Sequence, residues 1–431
     1  MRSCNQANRI NNEQKTNQLR QIYKTKENGG KKMNVAGIDV SQGKSTVTVR
    51  QPLGKIIAKP YDVSHTESEL KELAEYLKSL NGETRVVMEC TGIYYKPIAN
   101  YLHSAGIYVS TVNPKTMRGY DRDALRKVKT DKADAKKIAK YGLAKWEELR
   151  EYMPQNEERQ SLKSYSRQYE FYLNNKTRLK NNLTALLEQT FPGVKGIFSS
   201  RVRDDGHEKW IDFAETFWHI ECVKISKQKF HEKYNKWCRK NSYNFSISKA
   251  DEIYGLSQEY IATMPKNKFT HNLIKTAVSQ LNSVSKSQAE ILRMMKDIAR
   301  SMPEWDIVIE MAGVGEILAA QLIAEIGDIM RYKRKQSLSG YAGVDSPSDQ
   351  SGKYNRQGKP VTKNGSSQLR RILFLVMKSL LLNKPDDKVY HFIDKKRSEN
   401  KLYRVYMVAG ANKFLKIYYG KVKEHISELN S

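Results

Sequence analysis

"MNVAGIDVSQGKSTVTVR", residues 33–50, is the stretch where the chain first becomes regular. Its first half, "NVAGIDVS", is a short apolar run that closes on Asp39, which reads as a strand. Its second half, "KSTVTVR", alternates polar and apolar residues and reads as a second strand. Two strands in succession, one of them ending in a carboxylate, make the elements that follow decisive.

Downstream, "GKIIAKPYDV" is a third strand after a glycine turn. Residues 66–80, "TESELKELAEYLKSL", open with a capping box from Thr66 to Glu69 and continue at helical period. "TRVVMEC" is a fourth strand, apolar enough to be central, and it ends at Glu89. "GIYYKPIANYLHSAG" is a helix broken at Gly106, and "IYVSTVNP" is a fifth strand stopped by Pro114. A basic segment leads into "RKVKTDKADAKKIAK", residues 126–140, a further helix. The order β-β-β-α-β-α-β-α, a meander followed by alternation, is the ribonuclease H-like order of an α/β domain.

That order gives a purpose to two aspartates in a lysine-rich helix. Asp131 and Asp134 are three residues apart, so both carboxylates leave the same helix face. In a ribonuclease H-like sheet the first and fourth strands are neighbours and the last helix packs across their ends. Asp39, Glu89, Asp131 and Asp134 are therefore expected to converge. Four carboxylates repel one another unless cations intervene, and two Mg²⁺ (or Mn²⁺) roughly 3.5–4 Å apart would relieve them and activate phosphoryl transfer. The surrounding Arg118, Arg122, Arg126, Lys127, Lys129, Lys132, Lys136 and Lys137 would hold a nucleic-acid backbone near the metals. A solvated helix with ordinary ion pairs is the plainer alternative for an isolated Asp-x-x-Asp.

Upstream, residues 1–32 are polar, lack an apolar period and are expected to be disordered. They run into "ENGGKKM", which a purine-rich GGAGG tract before ATG can encode. Translation is therefore expected to begin naturally at Met33.

Residues 154–303 read as helical. A long amphipathic helix covers 157–190. A second stripe runs through Ile274, Ala277, Leu281, Val284, Ile291, Met295 and Ile298, long enough for a coiled coil or for internal core. Between them, residues 195–262 are polar and aromatic with no clean period. Among their His207, His219, Cys222, His231 and Cys238, the His219–Cys222 pair is close enough for zinc, but the second pair is spaced poorly and no Cys-x-x-Cys exists. From residue 304, "MAGVGEILAAQLIAEIG" suits a helix-hairpin-helix whose turn offers backbone N–H groups to a phosphate. Residues 331–371 carry ten Lys or Arg against Asp345 and Asp349, as a loop built for a phosphate backbone would. Lys353, Arg356, Lys359, Lys363 and Arg370 are its candidate contacts, and a terminal helical stretch follows from 369.

The whole chain has 431 residues, with 75 Lys and Arg against 47 Asp and Glu, a net charge of +28. Such an excess calls for a polyanionic partner, DNA or RNA first. No stretch resembles a membrane span, no secretory signal is expected, and four unpaired cysteines fit a reducing cytoplasm.

"GIDVSQGKSTV", "MECTGIYYKPIANYL", "VNPKTMRGY" and "KTDKADA" resemble the N-terminal domain of the insertion-sequence-one-ten (IS one-ten) family of DEDD transposases. "MAGVGEILAAQLIAEIGDI" and "SLSGYAGVDSPSDQSGKYNRQGKPVTKNGSSQLRR" resemble that family's C-terminal domain. The resemblance implies a RuvC-like domain (33–153), a helical coiled-coil region (154–303) with an insert at about 195–262, and a mostly helical C-terminal transposase domain (304–431). It implies a site-specific recombinase guided by a bridge RNA, with an acidic tetrad on Asp39, Glu89, Asp131 and Asp134. The nucleophile of the "QSG" motif then falls on Ser351. Donor and target DNA, a homodimer assembling into a tetrameric synapse, and a bacterial, nucleoid-associated location are further implications. The insert departs from the family pattern. A Holliday-junction resolvase or ribonuclease H-like nuclease, using the tetrad and water without a covalent intermediate, is the alternative reading.

Overall fold

The computed structural model describes residues 32–90, 92–120, 130–154, 156–199, 202–345, 350–351, 354–355 and 361–431, with backbone alone at 118–119, 350–351 and 354–355. The expectations for residues 1–31 lie outside these. The chain divides into two compact units, Met1–Pro154 and Gln155–Ser431.

The first unit is built on a five-stranded sheet: β1 (Met33–Val40), β2 (Lys44–Arg50), β3 (Ile56–Ser64), β4 (Glu83–Glu89) and β5 (Tyr108–Val112). Its order is β3-β2-β1-β4-β5, with β1 antiparallel to β2 and parallel to β4. The expected adjacency of first and fourth strands is thus present. Successive side chains of a strand leave opposite faces, and the two faces have separate cores. Ala36, Ile38, Val86 and Met88 pack with α1 (Glu67–Ser79) and α2 (Tyr95–Ser104). Val35 and Val87 pack on the other side, with Ile138 and Ala139 of α4 (Asp131–Ala144) and Met117 of α3 (Pro114–Tyr120). The cap of α1 differs in one detail from the expected box. Thr66 Oγ1 accepts from the Glu69 amide at 3.4 Å, while the Glu69 carboxylate accepts from the Ser64 amide at 2.6 Å.

In the second unit, α5 (Glu157–Thr190) and α9 (Lys268–Arg300) lie antiparallel. Leu162 near the start of α5 shares a core with Met295 and Ala299, and Leu183 and Leu187 near its end share another with Ile274 and Leu281. The stripe on α9 is therefore buried against a helix of the same chain. The poorly periodic stretch between them folds as α6 (Lys209–Thr216), α7 (Lys227–Lys240) and α8 (Ile247–Glu259) around Phe213, Phe217, Phe230, Tyr234 and Trp237. Short helices sharing one aromatic core leave no long repeat to read.

The remaining helices are α10 (Trp305–Ile309), α11 (Glu316–Ile326), α12 (Lys335–Ala342), α13 (Ser367–Asn383), α14 (Lys388–Ser398) and α15 (Tyr403–Leu429). Their core extends onto α5 and α9. The helix pair expected to offer amides to a phosphate is present as α10 and α11. However, Glu316 occupies the first turn of α11, held at 2.7 Å by both Lys296 and Arg300, so that helix start already has its negative charge. Among the described residues no helix is long and apolar enough to cross a membrane.

Candidate active site

The pairing of Ile38 with Met88 places the next residues, Asp39 and Glu89, side by side at the same end of two parallel strands. Carboxyl ends of parallel strands are where open α/β sheets present ligand sites. Asp39 shares the parity of Val35, and Glu89 that of Val87, so both carboxylates belong to the face covered by α4.

The approach of α4 to that face depends on small residues. A Cβ on Gly37 would stand 2.4 Å from the Ala135 carbonyl oxygen and from the Ala139 amide nitrogen, so backbone of α4 rests directly on β1. Gly142 lies farther along, where a Cβ would meet side chains rather than backbone, Val35 and Val87 at 2.7 and 2.8 Å. Thr130 caps the helix by accepting from the Ala133 amide at 3.2 Å, which puts Asp131 and Asp134 in the first turn. None of these positioning residues was singled out from the sequence. The recurrence of Ala135, Ala139 and Gly142 at helical spacing was the available signal.

The electrostatics register the convergence. Burial, then Asp134, Asp131 and Glu89, push the Asp39 carboxyl up from 3.8 to about 6. No three His, Cys, Asp or Glu side chains close to ligating distance among the described residues. The acids are gathered, but not drawn in around a common point. Beside them, burial pushes the Cys90 thiol up. An all-carboxylate set suits a hard divalent cation such as Mg²⁺ or Mn²⁺, and a half-buried carboxyl driven toward neutrality is what such a cation would restore to its charged form.

Of the basic candidates, Lys132 is exposed on α4 between the two aspartates, and Arg118 lies within α3. Arg122, Arg126, Lys127 and Lys129 lie outside the described residues, as do Lys353, Arg356 and Lys359. Lys136 and Lys137 are half-buried on α4.

In the second unit, Ser351 lies in a two-residue strand, β6 (Gln350–Ser351), paired with β7 (Tyr354–Asn355) so that Ser351 faces Tyr354. The loop carrying this hairpin closes at a defined neck. The Thr362 amide donates to the Asp345 carbonyl at 3.1 Å, and the Thr362 hydroxyl to the Asp345 carboxylate at 2.7 Å. The Ser366 amide donates to the Tyr341 carbonyl, and Arg370 to that of Ala342 at 2.8 Å. Gly365 is required there, since a Cβ would overlap the Tyr341 carbonyl. Arg370 thus anchors the neck, while Lys363 is exposed upon it. The histidines weighed for zinc have other partners: His207 meets Asp212, His219 meets the Met264 carbonyl, and His231 meets Asp251.

Comparison with known proteins finds two matching stretches, the first of which runs past the boundary between the two units into α5. A DEDD-type IS110 family model described as "Transposase" matches residues 36–192, and a model described as "Transposase IS116/IS110/IS902 family" matches residues 306–391. A Streptomyces coelicolor protein named "Mini-circle putative transposase for IS117" is 23% identical over 339 residues, covering 76% of this chain and 80% of its own. A second from the same organism, "Insertion element IS110 uncharacterized 43.6 kDa protein", is 19% identical over 251 residues, covering 58% of this chain and 59% of its own. Among solved structures, Thermus thermophilus RuvC matches 28% of this chain and 100% of its own, with a TM-score of 0.22 and 17% identity. The same protein in complex with a Holliday junction substrate gives a TM-score of 0.21 and 15% identity, over 28% of this chain and 99% of its own.

Proposed function

From the premise that this chain is an IS110-family DEDD transposase, we propose that it recombines DNA under the guidance of a bridge RNA, with Ser351 as nucleophile and Asp39, Glu89, Asp131 and Asp134 as its metal-binding tetrad. The observation that supports the reading is that Asp39 and Glu89 end neighbouring parallel strands and that Asp134, Asp131 and Glu89 add to burial in raising the Asp39 carboxyl. Mg²⁺ or Mn²⁺ bound there would polarise the scissile phosphate and ease deprotonation of the attacking hydroxyl.

The chain's own groups do the rest. A serine hydroxyl is a weak nucleophile at neutral pH and needs an acceptor for its proton. A carboxylate of the tetrad takes that proton as Oγ attacks phosphorus. The bond from phosphorus to the departing sugar oxygen breaks, that oxygen gains a proton, and a phosphoserine ester forms. The ester keeps the energy of the broken linkage, so rejoining needs no ATP. Lys353, Arg356, Lys359, Lys363 and Arg370 would balance charge along the backbone, and Arg118, Arg122, Arg126, Lys129 and Lys132 would do so beside the tetrad. This chemistry requires the Ser351 hairpin to be brought to a tetrad, in a homodimer or a tetrameric synapse, at the bacterial nucleoid.

The test is a covalent adduct. Wild-type protein with DNA substrate should give a protein–DNA band on denaturing gels, and Ser351→Ala should give none while still binding DNA and RNA. An adduct persisting in Ser351→Ala overturns the assignment. Cleavage without any adduct in the wild type favours the resolvase-like alternative. RNA recovered with the protein should map to the element that encodes it; only ribosomal and transfer fragments would remove the guide.

A further inference from the structure

We propose that the turn between α14 and α15 is a second DNA-contacting surface, a basic collar around an apolar wedge that enters an opened or kinked base step. It lies beyond residue 391, outside both family matches. It rests on the chain acting on DNA and does not depend on Ser351 or the tetrad.

The turn is rigidly built. α14 ends with Asn400 in the left-handed region (φ 55), the Asn400 amide on the Arg397 carbonyl at 3.0 Å and the Lys401 amide on the Lys396 carbonyl at 3.3 Å. This is a Schellman closure, and it fixes the direction of the chain that follows. What it presents is apolar: Leu402 is 77% exposed, Tyr403 47% and Val405 50%. Leu402 also stands at the N-cap of α15, where it supplies no side-chain acceptor. A leucine there serves neither helix nor core, whereas Ser, Thr, Asn or Asp would stabilise the helix start. Such a placement is explained by something outside the monomer.

The surroundings identify the occupant by charge. Residues 395–405 hold Lys395, Lys396, Arg397, Lys401 and Arg404 against the single acid Glu399. Lys395, Arg397, Lys401 and Arg404 are exposed, and none of them meets a carboxylate among the described residues. Unneutralised cations flanking exposed apolar side chains along the turn match the way nucleic-acid-bending proteins combine phosphate contacts with a wedge between bases. A ring such as Tyr403 can also stack on any base exposed by unpairing.

The test is equilibrium binding in EDTA, so that no cleavage intervenes, of the full chain to an intact DNA duplex and to the same duplex with two unpaired bases. Leu402→Ser/Tyr403→Ser should lose about tenfold in affinity for the opened duplex and keep its affinity for the intact one. Replacing Lys395, Arg397, Lys401 and Arg404 by Gln should weaken both and reduce the salt slope by about 3.6, four phosphates at 0.9 each. All the altered side chains are exposed, so melting temperatures should be unchanged. Equal binding of both DNAs by wild type and the Ser variant overturns the wedge. Loss on RNA of the same sequence or on phosphatidylglycerol vesicles without loss on DNA, or a changed sedimentation coefficient, overturns the DNA assignment. If DNA binding behaves as stated and no serine adduct forms, only the catalytic reading falls.

Discussion

Gly37→Ala tests whether the acids are placed by close helix–strand packing. The added methyl would lie 2.4 Å from two backbone atoms of α4, against about 3.4 Å for ordinary contact, so α4 must retreat by about 1 Å. Asp131 and Asp134 ride on its first turn and would move away from Asp39 and Glu89. A displacement of about 1 Å at a reacting site costs about 10²-fold in rate. Overpacking at such a contact destabilises by about 1–3 kcal/mol, which a domain of this size survives. The assay pairs strand cleavage in Mg²⁺ with thermal unfolding by circular dichroism. The variant should be folded, melt lower and cut about 10²-fold more slowly. Gly142→Ala is the control. Its methyl would meet only the side-chain ends of Val35 and Val87, about 12 Å along the helix from Asp134, so stability should fall with little loss of cutting. A folded Gly37→Ala that cuts at the wild-type rate would refute the idea that this contact positions the acids.

Other perturbations reach the same site and its support. Asp131→Asn should abolish cleavage and leave the far-ultraviolet spectrum intact; normal cutting in Mg²⁺ would return Asp131 to the role of a solvated helix residue. The raised Asp39 carboxyl predicts a pH effect in metal-free protein. Stability is highest below about pH 4, falls as pH rises through about 6, and stays at that lower level above it. Two pH units correspond to about 3 kcal/mol, reduced to about 1–2 for a half-exposed group, so Asp39→Asn should raise the melting temperature at pH 8 in EDTA but not at pH 4. A lower melting temperature for that variant at pH 8 would contradict the clustering. In the second unit, Glu304 is buried and takes two bonds from Arg159 at 2.5 and 2.8 Å, so Arg159→Ala should cost about 3–5 kcal/mol in urea unfolding; a loss below about 1 kcal/mol would show the pair to be dispensable.

What could be read locally was local in its causes. Strands β1 to β5, the Thr66 start of α1, and the long apolar stripe of α9 all depend on residues a few positions apart. The +28 charge needed only counting. The expectation that Asp39 and Glu89 share an end came from strand order, while their common face follows from the Ile38–Met88 register, a pairing across 50 residues. Other features belonged to tertiary structure. The α4 approach relies on Gly37 having no Cβ exactly where Ala135 and Ala139 arrive, and neither partner is visible from the other's neighbourhood. Residues 195–262 had no period because their aromatic side chains meet across three short helices. The Leu402–Tyr403 tip lies inside what reads as one terminal helical stretch, and only the fold shows it as an exposed turn between two helices. Periodicity records which way a side chain faces on its own element. What it faces is decided by contacts between elements far apart in the chain, and a position's own sequence neighbours do not contain that information.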